Sequence, residues 1–248
     1  MFATIKHELR EITVDLDKPI DISIPLEAGP GKVSAWYVNP VRIEPVRADG
    51  WVGDVNEGGS VNFRDIYFNP HGHGTHTECV GHISKEWISV NKELKRFFFL
   101  AKLITVTPEK NGEDEIISHD QIKNALGKDQ CEAIIIRTMP NELSKTTRQY
   151  SNSNPPYLHH DAALFLCEKG IDHLLIDLPS IDPEKDNGKL LAHHAFWNYP
   201  EQTRLQATIT EFIFVPDEVA DGMYLLNLQI APFENDASPS KPVLYSIK

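Results

Sequence analysis

The densest group of chemically reactive side chains in this sequence lies between residues 71 and 82, in the segment HGHGTHTECVGH. It holds four of the chain's 11 histidines together with Glu78. Imidazole and carboxylate groups are the usual ligands of zinc and similar divalent ions, and glycines let the backbone turn tightly enough to bring neighbouring ligands around one ion. Neither helix nor strand propensity accounts for this composition, so the segment predicts a metal site.

The same segment predicts how two of these ligands would be held. If residues 75–79 are extended, His76 and Glu78 project from one face, because side chains alternate along a strand. Cys79 is a further possible ligand as a thiolate, although a small buried hydrophobic side chain is the commoner role of such a cysteine. The three cysteines show no CxxC spacing, which suggests neither a disulfide framework nor a structural zinc knuckle.

Short runs rich in β-branched residues predict the strands that must position these groups. The predicted strands are EITVDL, IDISIPL, VNFRDIYF, LAKLITVTP, EAIIIRT, HLLIDLP, ATITEFIFVP and YLLNLQIAP. Two helices are predicted between them. One is SHDQIKNALG, with Ser118 as N-cap and Gly127 as C-cap, and the other is LHHDAALFLCEKG, which ends at Gly170. The turn-rich loops EAGPGK, RQYSNSNPP and DPEKDNGK are candidates for the border of a site.

Strand and helix alternate in the middle third of the chain, which predicts a mixed α/β fold rather than a sandwich or a helix bundle. AIIIRT and HLLIDLP are continuous apolar runs of the kind that a sheet buries on both faces. Each run leads into polar residues at the strand end where α/β proteins tend to place their sites. Arg137, Asp177 and Ser180 are therefore expected near that edge of the sheet.

Composition narrows the class of protein. A chain of 248 residues is long enough for one large domain, and we expect a single domain over residues 1–248. The 24 Lys and Arg against 36 Asp and Glu give a formal net charge of −12, which disfavours nucleic acid and anionic membranes as partners. The sequence holds no apolar run of about 18 residues, and its first residues lack a secretory signal pattern. These features predict a cytoplasmic protein with a small-molecule substrate.

Several segments, in the same order, resemble the cyclase-like metal-dependent hydrolases, the family that includes bacterial kynurenine formamidase and isatin hydrolase. GTHTECVGH is similar to the HxGTHxDxPxH signature of that family, PIDISIPLE to its early strand and IDLPSIDP to a later segment. AHHAFW followed by TEFIFVPDEV resembles its closing His and Glu block. The resemblance implies a swivelling β/β/α domain with a mixed sheet and a homo-oligomer, either a dimer or a tetramer.

The resemblance also implies roles for individual residues. His82 matches the general acid/base, and Glu78 stands where the family has an aspartate shared between two ions. His193 matches the downstream histidine ligand, with His194 as the adjacent alternative. The implied metal ligands are His71, His76, Glu78, His193 and Glu211.

The chain departs from the signature at two positions that matter for a metal site. The first histidine of the pattern falls at Gly72, so His71 and His73 are both candidates. We prefer His71 because Pro70 and His71 reproduce a Pro-His pair seen in relatives. Glu78 adds one methylene to the aspartate of the pattern, which can change the spacing, number or identity of the ions. One or two ions per chain are therefore both expected outcomes, with zinc as the first expectation and manganese as the second.

The implied activity is hydrolysis of an amide, formamide or cyclic amide carbonyl, a C–N bond other than a peptide bond, with a divalent metal and no other cofactor. His82 would pass a proton to the leaving nitrogen. Two alternatives stay open: a metal-dependent cyclase or lyase that consumes no water, and a member of the family that binds metal or ligand without catalysis. Aromatic residues upstream of the motif are candidates for a substrate pocket, a core or an oligomer interface: Trp36, Tyr37, Trp51, Phe63 and Tyr67.

Overall fold

The computed structural model describes residues 1–7 and 10–248, and within them it contains 18 strands and four α-helices. The strands of the first half are β1 (Phe2–His7), β2 (Arg10–Asp15), β3 (Ile20–Asp21), β4 (Arg42–Pro45), β5 (Arg47–Ala48), β6 (Trp51–Val52), β7 (Arg64–Tyr67), β8 (His76–Cys79), β9 (Phe98–Val106), β10 (Glu109–Asn111) and β11 (Asp114–Ile117). Those of the second half are β12 (Ala133–Thr138), β13 (Tyr157–Leu158), β14 (His173–Ile176), β15 (Thr208–Glu211), β16 (Gly222–Asn227), β17 (Ala237–Pro239) and β18 (Val243–Ser246). The helices are α1 (Val90–Glu93), α2 (His119–Leu126), α3 (His160–Glu168) and α4 (Leu191–Trp197).

A nine-stranded mixed sheet forms the centre of the molecule, in the order β17-β8-β15-β14-β12-β9-β16-β18-β3. Its four middle strands, β15, β14, β12 and β9, are parallel to one another. The strands on both sides pair antiparallel, β8 and β17 at one end and β16, β18 and β3 at the other. The mixed α/β fold expected from the sequence is therefore confirmed.

The middle strands are apolar because both of their faces are covered. Every residue of β12 is buried, and the alternation of its side chains sends Ile134 and Ile136 to one face and Ile135 to the other. The first face packs under α2, α3 and α4, and the second meets residues of β9, β16 and β18. Each fully buried Ile contributes about 1.5–3 kcal/mol to the free energy of unfolding, so the packing on both faces holds the middle strands in place.

Both predicted helices are confirmed, with the caps that the sequence indicates. Ser118 Oγ accepts a hydrogen bond from Gln121 N, and the Gln121 side chain accepts one from Ser118 N, so the two residues form a capping box. Gly127 ends α2 with φ of 62°, in the region that favours glycine. The His159 side chain caps α3 by accepting from Asp161 N.

The structure differs from the sequence prediction where backbone turns interrupt apolar runs. The strand expected over ATITEFIFVP ends at Glu211, because Phe212 has a φ of 55° and cannot continue it. Of the strand expected over IDISIPL, only Ile20–Asp21 pairs as a strand. The sequence prediction also missed α4, which has no polar N-cap: Leu190 before it is left-handed, with φ of 45°. Its first N–H groups donate instead to the side chain of Asp182, a contact that local sequence patterns do not show.

Candidate active site

Two neighbouring strands near one end of the sheet, β8 and β15, position the first ligand candidates. His76 and Glu78 lie on β8 and project to the same face, as expected for alternating side chains. In the antiparallel register of β8 and β15, Glu211 stands directly opposite His76. His76 Nε2 lies 3.4 Å from Glu211 Oε2. All three side chains are buried, so the sheet holds an imidazole and two carboxylates together away from water.

Helix α4 brings His193 to the same cluster. Asp182 caps the start of the helix by accepting hydrogen bonds from Ala192 N at 2.8 Å and from His193 N at 3.0 Å. The same carboxylate accepts from His193 Nδ1 at 2.5 Å, which orients the ring. His193 Nε2 then points at Glu78 Oε1, 3.1 Å away. The adjacent alternative, His194, turns away and donates from Nδ1 to Tyr199 O.

The glycine-rich segment delivers two more imidazoles from either end of β8. His71 precedes the strand, and its Nδ1 lies 3.0 Å from Glu78 Oε2. His82 follows the strand, in a single 3-10 turn over Val80–His82, with its ring centroid 4.3 Å from that of His71. The His82 side chain keeps 30% of its surface exposed. It is therefore the imidazole of the cluster most open to an entering molecule.

His73, the other candidate for the first histidine, lies on the far side of the loop. Its Nδ1 accepts a hydrogen bond from Asn69 N at 3.0 Å, which anchors the turn. The backbone of Gly74 is left-handed, with φ of 66°. A Cβ atom at this position would lie 3.0 Å from Ile24 O, so the position favours glycine. The turn thus places His71 in the cluster and His73 outside it.

The donor atoms that converge on the centre of the cluster fit a divalent cation. The inward atoms are the carboxylate oxygens of Glu78 and Glu211 with His71 Nδ1, His76 Nε2 and His193 Nε2. His76 Nε2 is buried without a hydrogen-bond partner in the part of the chain that the structure describes, which is costly for a polar atom unless another ligand satisfies it. Oxygen and imidazole nitrogen suit zinc and manganese.

Each inward-facing imidazole is held at its other nitrogen. Asp182 accepts from His193, Gly74 O accepts from His76 Nδ1 at 3.3 Å, and an aspartate late in the chain, Asp236, lies 2.8 Å from His71 Nε2. Metal-binding histidines typically donate their second N–H to a carboxylate or carbonyl in this way. The arrangement is therefore that of a metal site rather than a chance grouping of histidines.

The carboxylates of the cluster favour positive charge on the groups between them. Burial opposes charge on the imidazoles, but Asp236 and Glu78 raise the pKa of His71 to about 10, and Asp182 and Glu78 raise the pKa of His193 to about 10. Burial would raise the pKa of Glu78, but the neighbouring imidazoles hold it well below its ordinary value. A divalent cation can supply the same positive charge in place of the protons, because metal ligands bind in their deprotonated form.

A cavity of about 370 Å³ opens onto the cluster, and His71, His82, His193 and Glu211 line its floor. Its volume suits a small organic molecule. Trp36 lines the cavity and packs against the small buried cluster that contains Tyr150 and Phe212. Of the aromatic residues expected to line a pocket, Trp36 lines this cavity, and Tyr37 donates to Glu184 at its rim. Tyr67 lines a separate pocket beside Asn69, and Trp51 and Phe63 are exposed.

The polar residues at the strand ends divide between the site and the scaffold. Ser180 lines the cavity, and the loop DPEKDNGK contributes Glu184 and Asp186 to its rim. Arg137 instead donates to Pro216 O, Val219 O and Asp221. Asp177 is buried in an ion pair with Lys145. Arg137 and Asp177 therefore belong to the scaffold rather than to the site.

Two site residues were missed by reasoning from the sequence. Asp182 lies within the segment IDLPSIDP, whose resemblance to relatives was a usable signal. Asp236 had no comparable signal, because nothing in the sequence shows that β17 pairs beside β8.

The mixed α/β fold and a buried imidazole and carboxylate cluster beside a cavity define a metal-dependent enzyme for a small molecule. Residues 20–183 match the family model described as a putative cyclase. The chain is 32% identical over 196 residues to a kynurenine formamidase of Bacillus cereus, an alignment that covers 77% of this chain and 83% of that relative. The chain therefore belongs to the cyclase family.

Solved structures show the same fold at low sequence identity. A predicted metal-dependent hydrolase from Bacillus stearothermophilus superposes with a TM-score of 0.66 at 19% identity, covering 92% of this chain and 98% of that chain. Isatin hydrolase A from Labrenzia aggregata superposes with a TM-score of 0.67 at 13% identity, covering 93% and 94%. The swivelling β/β/α architecture expected from the sequence is thus shared across the length of the domain.

Proposed function

We propose that this protein is a metal-dependent hydrolase that cleaves the C–N bond of a formamide or related amide of an aromatic amine. The observation that carries the proposal is the buried set of donor atoms at the floor of the cavity. Kynurenine formamidases at about 30% identity over three quarters of the chain support the same reaction class. They favour hydrolysis over a cyclase or lyase reaction without water and over a binding protein without catalysis.

His71, His76, Glu78, His193 and Glu211 are the proposed metal ligands. A divalent cation held there would polarise the amide carbonyl and make water acidic enough to act as a nucleophile near neutral pH. The two oxygens of Glu78 face different imidazoles, His71 and His193, so this carboxylate can serve one ion or bridge two. Zinc is the first candidate and manganese the second, since both accept this donor set.

His82 is the proposed general acid/base. Its ring lines the cavity, and its Nδ1 lies 3.9 Å from Glu78 Oε2, farther from that carboxylate than the rings of His71 and His193. A partly exposed imidazole at this position can donate a proton to the leaving nitrogen of a bound amide. The flat wall formed by Trp36 favours a substrate with an aromatic ring, because ring stacking adds to the burial of apolar surface.

Two substitutions separate the roles of ligand and acid. His76→Ala is expected to lose bound zinc and arylformamide hydrolysis together. His82→Ala is expected to keep most of the zinc and lose a factor of about 10²–10⁴ in turnover. Zinc per chain from elemental analysis and the rate of formate release measure the two effects, and His119→Ala, which changes a partly exposed histidine on α2, is the control. Equal loss of zinc in both variants would contradict the role of His82, and absence of arylformamide turnover by the zinc-loaded parent would contradict the activity.

We further propose that residues 1–248 form a single domain that works in the cytoplasm as a homo-oligomer, a dimer or tetramer. The exposed side chains of Phe63, Ile66 and Tyr67, on and beside strand β7 of the two-stranded sheet β4–β7, support association, since large apolar groups are rarely left exposed together on monomers. Cys79, Cys131 and Cys167 are free cysteines, which supports the proposed cytoplasmic setting, where thiols are kept reduced. Within the described residues, no helix is long and apolar enough to cross a membrane. Light scattering of the purified protein measures the oligomeric state.

A further inference from the structure

Asp236 is a carboxylate outside the proposed ligand set that contacts both a proposed metal ligand and the proposed general acid/base. Its Oδ2 lies 2.8 Å from His71 Nε2 and 3.4 Å from His82 Nδ1. The sheet fixes its place, because Ala237 pairs with Glu78 across β17 and β8, and Cys79 N donates to Asp236 O at 3.0 Å. The backbone that carries Asp236 is therefore bonded to the strand that carries the metal ligands.

The two nitrogens of the His71 ring face different groups. Nδ1 lies on the side of Glu78 and the other inward-facing donors, whereas Nε2 lies on the side of Asp236. A neutral imidazole has one N–H and one free lone pair, and only the lone pair binds a metal. A carboxylate at Nε2 selects the tautomer with the proton on Nε2 and leaves Nδ1 as the donor to the ion. Asp182 does the same for His193, with the roles of Nδ1 and Nε2 exchanged.

We propose that Asp236 is a positioning residue, which fixes the tautomer and orientation of His71 for the metal and holds the His82 ring at the wall of the cavity. The proposal rests on the ligand role of His71 proposed above. Asp236 is shared between the two rings, whose centroids lie 4.3 Å apart, so one carboxylate sets the spacing of a ligand and of an acid/base group. Its loss affects metal affinity and turnover together.

A direct bond from Asp236 to the ion is the competing role, because one ligand atom from each of His71, His82 and Asp236 lie within 4.8 Å of one another. The contacts favour positioning. The Oδ2 atom of Asp236 already accepts from an imidazole at hydrogen-bonding distance, whereas Nε2 of His76, on the inner side of the cluster, is buried without a hydrogen-bond partner among the described residues. The Asp236 side chain also keeps 22% of its surface exposed, unlike Glu78 at 1%.

The test measures two properties, the affinity for zinc and the tautomer of His71. In Asp236→Ala, the dissociation constant for zinc from chelator competition is expected to rise about 10- to 100-fold, the usual cost of removing an outer partner of a metal-binding histidine. Asp236→Asn, which keeps the shape and one acceptor oxygen, is expected to lie between Asp236→Ala and the parent. Glu234→Gln is the matched control, because it removes a nearby exposed carboxylate that contacts Lys92 and Asn91 instead.

Long-range proton–nitrogen correlation spectra of the zinc-loaded protein report the tautomer of each histidine. A purely structural role of Asp236 would leave the tautomer of His71 unchanged. The parent is expected to show His71 with its proton on Nε2, and Asp236→Ala to lose that single tautomer while retaining the dispersion of a folded protein. Unchanged zinc affinity and an unchanged His71 tautomer in Asp236→Ala would overturn the proposal. Loss of one full equivalent of zinc with the tautomer retained would also overturn it, in favour of direct ligation. Neither readout needs a substrate, so failure of the proposed hydrolase activity is seen separately.

Discussion

At the scale of single residues, a shift of one or two positions in the chain decides whether a histidine joins the cluster. His71 and His73 are both close to the place where the cyclase signature has its first histidine, yet they point in opposite directions. His71 meets Glu78 and Asp236, while His73 accepts the backbone N–H of Asn69. The same contrast separates His193 from His194, because neighbours on a helix are turned away from each other by about 100°.

The first prediction tests this division between neighbours. His71→Ala is expected to lower bound zinc, whereas His73→Ala is expected to keep zinc and lose about 1–3 kcal/mol of stability, since Asn69 N is left without its acceptor. Elemental analysis and urea unfolding measure the two properties in each variant. If His73→Ala lost its zinc and His71→Ala kept it, the assignment of the first ligand would be wrong.

A second prediction concerns His173, which is buried away from the cluster and whose ring centroid lies 3.8 Å from that of Phe99. Burial lowers the pKa of His173 from 6.5 to about 3. In the unfolded chain, His173 binds a proton below about pH 6.5, whereas in the folded protein it does so only near pH 3. The folded state therefore loses stability as the pH falls from 6.5 to about 3. The expected contribution is up to about 1.4 kcal/mol per pH unit.

Urea unfolding between pH 7 and pH 4 measures that slope. His173→Gln, which keeps a polar group near Thr208 Oγ1 but does not titrate, is expected to have a shallower fall in stability on the acid side. His160→Gln is the control, because His160 is exposed and contacts only its neighbours on the helix end. An identical pH dependence in the parent and His173→Gln would show that other groups carry the acid sensitivity.

At the scale of elements, one buried ion pair joins the ends of two central strands, β12 and β14, to the turn that follows β12. Lys145, in the 3-10 turn Leu143–Thr146, donates to Asp177 Oδ2 at 2.8 Å and to Thr138 O at 2.6 Å. Thr138 N in turn donates to Asp177 Oδ2 at 2.8 Å. Burial raises the pKa of Asp177, and the neighbouring Lys145 offsets only part of that rise. Without Lys145, the buried negative charge of Asp177 would have no counter-charge.

The third prediction follows from that dependence. Lys145→Met is expected to cost about 3–5 kcal/mol of stability, because it leaves a buried carboxylate without its counter-charge. Lys145→Met combined with Asp177→Asn is expected to be less destabilised than Lys145→Met alone. Urea unfolding measures both, with Lys189→Met as the exposed control. A cost below about 1 kcal/mol for Lys145→Met would contradict the structural role of the pair.

At the scale of the whole molecule, the candidate metal centre joins segments that are far apart in the chain. Its proposed ligands come from the loop before β8, from β8 itself, from α4 and from β15. An ion that binds all of them binds the folded state and not the unfolded one, so it must stabilise the fold. Bound metal would therefore stabilise the packing of these segments at one end of the sheet, in addition to its proposed chemical role.

The fourth prediction is a zinc-dependent rise in melting temperature. Zinc at about 1,000 times its dissociation constant adds about 4 kcal/mol, which corresponds to roughly 10 °C for a chain of this size. Calorimetry of chelator-treated protein with and without added zinc measures the rise, and His76→Ala is expected to abolish it. A rise that survives His76→Ala would mean that zinc binds elsewhere, for example at the surface group His159, His160 and Asp161.

Local sequence patterns predicted the parts of this protein that are set within a few residues. Ser118 as N-cap and the glycines at the helix ends define the predicted helices, and the apolar run AIIIRT defines a strand buried on both faces. The alternation of side chains placed His76 and Glu78 on one face of β8. Propensity, capping and periodicity act over a single turn or strand, so the order of residue types is enough to show them.

Only the tertiary structure decided which of the candidate groups meet. The choice of His71 over His73 and of His193 over His194, the buried place of Asp177 in the scaffold, and the part played by Asp236 all depend on which strands pair and where the backbone turns. The turn at Phe212 and the capping of α4 by Asp182 likewise join residues through contacts that the intervening chain does not encode locally. Such contacts form because burying the sheet under its helices fixes the whole arrangement at once, and that free energy is spread over the core rather than written in any one motif.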